Sequence, residues 1–194
     1  MTVLTNLELT PNRRGKLRAF TLTEMAIVLG IIGIILGAIW VAASAVYENN
    51  RTARARAQVM QIVNAFKSIY GGKRVNIADW TDLTALAINN GFVPQEMVNG
   101  STAVGPWSGS VVTIYSNQSW NGIVVYYNNL AQTACNHFAN AVGTTNPGLI
   151  YVVINGQARL LPPIGVNSAF TTADVNTYCN LATGNYVYVI YSMN

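Results

Sequence analysis

The chain has 194 residues, of which 51% are hydrophobic and only 9% are charged, and its formal net charge is +4. Soluble proteins carry about 25% charged residues, so this composition argues against a typical cytosolic enzyme surface. Arg159 is the one basic residue after residue 75. Nucleic-acid binding needs a basic patch on the folded domain, so we expect no direct nucleic-acid partner.

The first 19 residues are polar and basic, and Pro11 and Gly15 interrupt any helix there. We expect this segment to be a cytoplasmic leader that is not part of the fold. From Met25 to Tyr47 there follow 23 residues without a charge or a proline. Because about 20 apolar residues are enough to cross a bilayer, the sequence predicts a transmembrane helix at residues 20–50.

The helical pattern continues beyond the apolar run. Residues 51–70 place apolar side chains at one helical stripe, and Gly71 and Gly72 then end the helix. We therefore predict one helix over residues 21–70, about 75 Å long at 1.5 Å per residue. Its second half is amphipathic and can pack on a globular head. The stripe consists of Val59, Ile62, Val63, Phe66 and Tyr70.

Residues 51–194 are predicted to form this head. Runs rich in Val, Ile and Tyr, bounded by Gly, Asn or Ser, predict strands at 110–116, 122–128, 149–156 and 185–192. Helical spacing predicts three short helices, at 77–92, 128–142 and 171–179. The expected architecture is α+β, with a mainly antiparallel sheet laid against the amphipathic half of the long helix.

Two cysteines, Cys135 and Cys179, lie in the distal half of the chain. In a chain exported to an oxidising compartment, two cysteines most simply pair with each other. Two unrelated buried thiols are the alternative. A bridge closing a loop of this length stabilises a fold by about 4 kcal/mol on the chain-entropy estimate.

The sequence contains no pattern that indicates catalysis. His137 is the single histidine, and no cluster of His, Asp and Glu has metal-ligand spacing. The glycine-containing segment 105–110 lacks the lysine of a phosphate-binding loop. We predict neither a catalytic residue nor a metal site nor a cofactor.

The stretch GKLRAFTLTEMAIVLGIIGII, residues 15–35, resembles the processing region of type IV pilins and of the related pseudopilins. This resemblance implies that a prepilin peptidase cuts between Ala19 and Phe20 and methylates the new amino group of Phe20. Glu24 is then the fifth mature residue, the position at which that family has a glutamate. The family usually has glycine before the cut, whereas this chain has alanine.

A charged carboxylate inside hydrocarbon costs on the order of 2.5–3.5 kcal/mol, so Glu24 needs a partner. The freed amine of Phe20 in a neighbouring copy supplies one. Such a pair would fix the stagger of adjacent helices, and its removal would leave an unpaired charge in an apolar bundle. An interfacial glutamate stabilised by the helix dipole is the simpler alternative.

The long leader, the size of the head and the widely spaced cysteines resemble the type IVb branch, and LAINNGFVPQEMV, residues 86–98, is similar to thin-pilus major pilins. This implies a homopolymeric pilus that serves adhesion, aggregation, DNA-transfer contact or motility. The subunit would enter the inner membrane, be assembled by the pilus machinery and end at the cell surface. A minor pilin or type II secretion pseudopilin, or a signal-anchored monomeric binding module, are the alternatives.

Three arginines, Arg51, Arg54 and Arg56, follow the apolar run directly. They either face lipid headgroups before assembly or meet acidic residues of a neighbouring subunit. The sequence does not decide between these two interpretations.

Overall fold

The computed structural model describes residues 21–74, 76–143, 147–161 and 169–194. Ala19 and Phe20, the predicted processing residues, lie outside these ranges. The chain divides into two compact units, Met1–Ala43 and Ser44–Asn194.

A single long helix, α1, covers Leu22–Tyr70 and contains 49 residues. Its bounds agree with the predicted helix within a residue. The amide of Gly71 donates to the carbonyl of Lys67 at 2.8 Å, and that of Gly72 donates to Met193 at 3.1 Å. Gly72 has φ +73°, a left-handed conformation that glycine adopts without a steric penalty. The helix therefore ends at the glycine pair, as predicted.

Among the described residues, seven strands form one sheet in the order β1-β2-β3-β4-β7-β5-β6, and every neighbouring pair is antiparallel. The predicted α+β class, a long helix on an antiparallel sheet, is confirmed. The strands are β1 Val98–Asn99, β2 Thr102–Val104, β3 Val111–Asn117, β4 Gly122–Leu130, β5 Leu149–Ile154, β6 Gln157–Leu160 and β7 Asn185–Ser192.

The core lies between one face of the sheet and the second half of α1. Side chains alternate along a strand, so Tyr127 of β4 points into this core. Its ring lies 4.4 Å from that of Phe138, and its hydroxyl donates to the carbonyl of Ala55 at 3.5 Å. On α1, the buried apolar positions are Ala55, Val59, Ile62, Val63 and Phe66.

Three short α-helices, α2 Thr84–Asn89, α3 Gln132–Val142 and α4 Thr172–Tyr178, and one 3-10 turn at Gln95–Met97 complete the described head. All three are shorter than predicted, α4 by one residue at each end. The prediction of helix at 90–92 is wrong because Gly91 has φ +71°, which ends α2. The prediction of helix at 128–131 is wrong because β4 continues to Leu130. The prediction of helix at 77–83 is also wrong, since Trp80 has φ +63° and its amide donates to the carbonyl of Ser116 at 2.9 Å.

The opposite face of the sheet bears a cluster of aromatic rings. The ring of Trp80 lies 5.7 Å from Tyr115 and 5.4 Å from Tyr188, both edge to face. Tyr126 stacks on Tyr186 at 5.4 Å and on Tyr188 at 5.7 Å. Burial raises the pKa of the Tyr126 and Tyr188 hydroxyls. These rings therefore pack mainly against one another and cover the outer side of the sheet.

Candidate functional site

The first half of α1 is the most unusual surface of the chain. Every residue from Leu22 to Val46 is exposed, including Ile34 at 76% and Trp40 at 80%. By length and composition this helix is apolar enough to cross a membrane. An apolar surface of this extent marks a lipid or protein contact. Lipid or another protein subunit must therefore cover these side chains, because the described part of the single chain does not.

Glu24 lies in the first turn of α1, at the start of this apolar surface. Its Oε2 accepts hydrogen bonds from the backbone N–H of Thr21 at 2.8 Å and from the Thr21 hydroxyl at 3.0 Å. The Glu24 amide in turn donates to Thr21 Oγ1 at 3.2 Å. These reciprocal bonds form a capping box, which satisfies amides that a helix start leaves without partners.

The capping box fixes the direction of the carboxylate but leaves acceptor capacity. An ionised carboxyl has two oxygens and about four acceptor sites. Oε1 of Glu24 makes no hydrogen bond to any residue in the described ranges. The group can therefore accept a further donor, and an ammonium is the partner that would neutralise its charge in an apolar setting.

A second carboxylate, Glu48, connects α1 to the head just after the apolar run. Its Oε1 lies 3.3 Å from Nη1 of Arg51, and its Oε2 accepts the indole N–H of Trp107 at 3.0 Å. Trp107 is 6% exposed, and its ring packs 5.7 Å from Phe138. Of the three arginines after the apolar run, Arg51 is therefore paired with an acid of its own chain.

The predicted disulfide is present between Cys135 of α3 and Cys179, which directly follows α4, with Cα atoms 5.7 Å apart. A buried amide network continues from it. Asn155 donates to the carbonyl of Tyr178 at 2.7 Å and to the side chain of Asn185 at 2.8 Å. Asn185 is fully buried and donates to the carbonyl of Leu130 at 3.1 Å. The bridge and these bonds hold the distal part of the head to the sheet.

Within the described residues, no group of three or more His, Cys, Asp or Glu side chains could hold a metal ion. His137 lies exposed on α3.

Two residues that contribute to these sites were not identified from the sequence. Thr21 could have been found, because Thr-x-x-Glu before an apolar run is the signature of a capping box. Trp107 could not have been found in this way. Its contact with Glu48 joins residues 59 positions apart, and no local pattern encodes such a pair.

Two family models match the sequence. A model described as PilS N terminal matches residues 49–192, and a model of the prokaryotic N-terminal methylation motif matches residues 14–40. No curated protein matches the chain. Among solved structures, the chain is similar to TcpA, a type IV pilin from Vibrio cholerae El Tor biotype, with 15% identity and a TM-score of 0.46. The alignment covers 75% of this chain and 99% of that chain.

Proposed function

The chain belongs to the PilS family of type IV pilins, and from this premise we propose that it is the major subunit of a type IVb-like pilus. Pilins are structural subunits and not enzymes, as the sequence predicted. The observation that carries the proposal is the exposed, uncharged run of α1 with Glu24 at its start. The distal Cys135–Cys179 bridge supports the type IVb branch.

Processing is the first step of the proposed function. A prepilin peptidase removes residues 1–19 by cutting between Ala19 and Phe20, and the amine of Phe20 is methylated. The match of the methylation motif to residues 14–40 supports this step. The mature chain then consists of a membrane and polymerisation helix, residues 20–50, and a globular head, residues 51–194.

Assembly is the second step. The Phe20 amine of one subunit pairs with Glu24 of another while the apolar halves of their helices pack together. The free acceptor capacity at Oε1 supports this pairing, because the capping box occupies only Oε2. The pair offsets the desolvation of both charges and sets the axial stagger of neighbouring helices.

The proposed route begins in the inner membrane, where the apolar run spans the bilayer, and ends in a filament at the cell surface. The pilus assembly machinery of the inner membrane transfers the subunit from one to the other. Adhesion, aggregation, DNA-transfer contact and motility are the uses that such a filament serves.

The test is mass spectrometry of subunits from sheared surface filaments, combined with electron microscopy of the same sample. We expect a chain that begins with N-methylated Phe20 and makes up most of the filament mass. A strain without prepilin peptidase is the control, and it should retain residues 1–19 and form no filaments.

Two outcomes would contradict the proposal. Subunits that keep the leader in the presence of active peptidase would support a signal-anchored monomer. A processed chain found as a trace component of filaments built from another protein would identify a minor pilin.

A further inference from the structure

A polar groove of about 220 Å³ lies beside α1 within the head unit. One wall is a single face of α1, formed by Tyr47, Arg51, Arg54 and Gln58, whose spacing of four, three and four residues aligns them along the helix. Glu96 and the segment Val104–Pro106 form the other wall. The volume lies below the roughly 300–1,000 Å³ of pockets for drug-sized ligands, so the groove suits a small polar group.

The arginine nearest to the apolar run is already engaged. Arg51 donates to Glu48 at 3.3 Å and to the hydroxyl of Tyr47 at 2.9 Å. Its guanidinium also lies 4.2 Å from the centroid of the Tyr47 ring. Arg51 therefore forms a neutral, ordered end of the groove and does not supply the charge that would attract a ligand.

Two further charges of opposite sign face the groove. Arg54 is exposed, and among the described residues it forms no ion pair. Glu96 is also exposed, and its Oε1 accepts a hydrogen bond at 2.8 Å from Nε2 of Gln58. Gln58 is only 5% exposed, and its Oε1 accepts the hydroxyl of Tyr127 at 3.4 Å. A buried amide thus orients the carboxylate, while the guanidinium has no acidic partner in the part of the chain that the structure describes.

The position of the groove along the chain indicates where its ligand would come from. Tyr47 is the last residue of the uncharged run, and tyrosine is enriched at the membrane interface. Arg54 follows seven residues later, about 10 Å further along the helix. The headgroup layer extends roughly 5–8 Å beyond the hydrocarbon on each side of a bilayer, which is comparable to this separation.

We propose that this groove binds the headgroup of phosphatidylethanolamine while the subunit is in the membrane. The phosphate contacts the guanidinium of Arg54, and the primary ammonium donates to the carboxylate of Glu96. A headgroup with a net negative charge would be repelled by Glu96. A choline headgroup has no N–H to donate. The inference rests on the membrane stage of the proposed function, and it assigns the subunit a specific lipid there.

Native mass spectrometry of the full chain in detergent micelles tests this proposal, because it does not depend on filament formation. Phosphatidylethanolamine, phosphatidylcholine and phosphatidylglycerol are added separately. We expect one retained phosphatidylethanolamine per chain and weaker retention of the other two. Because a hydrogen bond to a charged group contributes about 1.5–3 kcal/mol, Arg54→Gln and Glu96→Gln should each weaken retention about tenfold or more.

Arg56→Gln is the matched control, since it removes the same charge from the same helix at a residue outside the groove. It should leave retention unchanged. Both test residues are exposed, and unchanged thermal unfolding of the variants confirms that they fold.

Three results would overturn the proposal. The first is an equal loss in Arg54→Gln and Arg56→Gln, which would show a response to surface charge alone. The second is retention of phosphatidylglycerol at least as strong as that of phosphatidylethanolamine. The third is normal lipid retention with reduced filament yield in Arg54→Gln, which would assign the groove to a contact with a second copy of the chain.

Discussion

The two halves of α1 share one continuous helical backbone, yet their apolar side chains have opposite surroundings. In the first half, Ile32 is 44% exposed and Ile34 is 76% exposed. In the second half, Ile62 is fully buried and Phe66 is 2% exposed. The second half presents one apolar stripe, which the sheet of the same chain covers. The first half is apolar on all sides, so its burial must come from lipid or from other copies.

The glutamates of the two halves differ in the same way. Glu48 has partners from its own chain, Arg51 and Trp107. Glu24 has only the capping interaction with Thr21 in the described structure. The charge of Glu48 is thus compensated within one chain, whereas the charge of Glu24 and the apolar surface that follows it still need partners from outside the described chain.

The largest effect is expected from Glu24→Gln. Glutamine can still accept the hydrogen bonds of Thr21, so the helix start is preserved, but it cannot neutralise an ammonium. We expect nearly complete loss of filaments, measured as sheared filament yield, with normal processing and an unchanged unfolding midpoint of the head. A wild-type filament yield would remove the argument for pairing between subunits.

Thr21→Ala separates the charge of Glu24 from its role in the helix cap, because it removes the hydroxyl of the capping box and keeps the carboxylate. We expect this variant to assemble, because the charge of Glu24 is retained. If Thr21→Ala and Glu24→Gln lose filaments equally, the carboxylate acts through the helix cap and not through its charge.

The next largest effect concerns the head alone. Replacing both Cys135 and Cys179 by Ser removes a bridge with a sequence separation of 44. The free energy of unfolding should fall by about 4 kcal/mol, because the denatured chain loses its cross-link. Denaturant unfolding of the full chain in detergent measures this change. Reduction of the wild type is the control and should give the same midpoint, whereas an unchanged midpoint in the variant would contradict the predicted stabilisation.

A matched pair of substitutions tests the contrast between the two halves directly. Ile62→Ala opens a cavity in the core and should cost about 2–5 kcal/mol of unfolding free energy. Ile32→Ala changes an exposed side chain and should leave unfolding of the detergent-solubilised chain unchanged. Equal destabilisation by the two variants would show that the first half of α1 is packed against protein within the single chain.

The same contrast explains which elements the sequence predicts well. The bounds of α1 were predictable because a long apolar run, an amphipathic stripe and the Gly71–Gly72 pair all indicate the same helix. Strands β3, β4, β5 and β7 have six to nine residues each, which is long enough for a recognisable run. The local sequence of each of these elements is therefore enough to predict it.

Shorter elements depend on contacts with distant residues. Strands β1 and β2 have two and three residues, too few to show alternation. Strand β6, Gln157–Leu160, has only four residues and no Val, Ile or aromatic side chain. Trp80 fits a helical stripe in the sequence, but its amide pairs with Ser116 and its ring packs on Tyr115 and Tyr188. Tertiary contacts therefore override local propensity there.

In the candidate site, too, contacts between residues far apart in the sequence could not be predicted. Glu24 and the two cysteines could be identified because a motif or a compartment argument applies to each of them. The contact of Glu48 with Trp107, and the groove that places Glu96 near Arg54, join residues far apart in the sequence. Only the folded chain reveals such pairs.

The smallest expected effect comes from comparing the two capping boxes that the described residues form, at Thr21 and at Thr171. Thr171 and Asp174 repeat in the head the arrangement of Thr21 and Glu24: Asp174 Oδ2 accepts the Thr171 amide at 3.0 Å and its hydroxyl at 2.9 Å. The bond from the Thr171 amide, then that from its hydroxyl, and the nearby Arg159 hold the pKa of the Asp174 carboxyl below its usual value.

Since this pKa is lower in the folded state than in the unfolded chain, the ionised carboxyl stabilises the fold above the unfolded value of about 3.9, and the contribution is lost as the pH falls through the folded value. Asp174→Asn should therefore lower the thermal midpoint slightly at neutral pH, and the difference from wild type should shrink as the pH falls from neutral through the lowered pKa of the folded state. Thermal unfolding of both proteins across this range measures the effect. A difference that is the same at both ends of the range would mean that the cap acts through its geometry alone. The ionised carboxyl at Glu24 would then be needed for contact between subunits and not for the start of its helix.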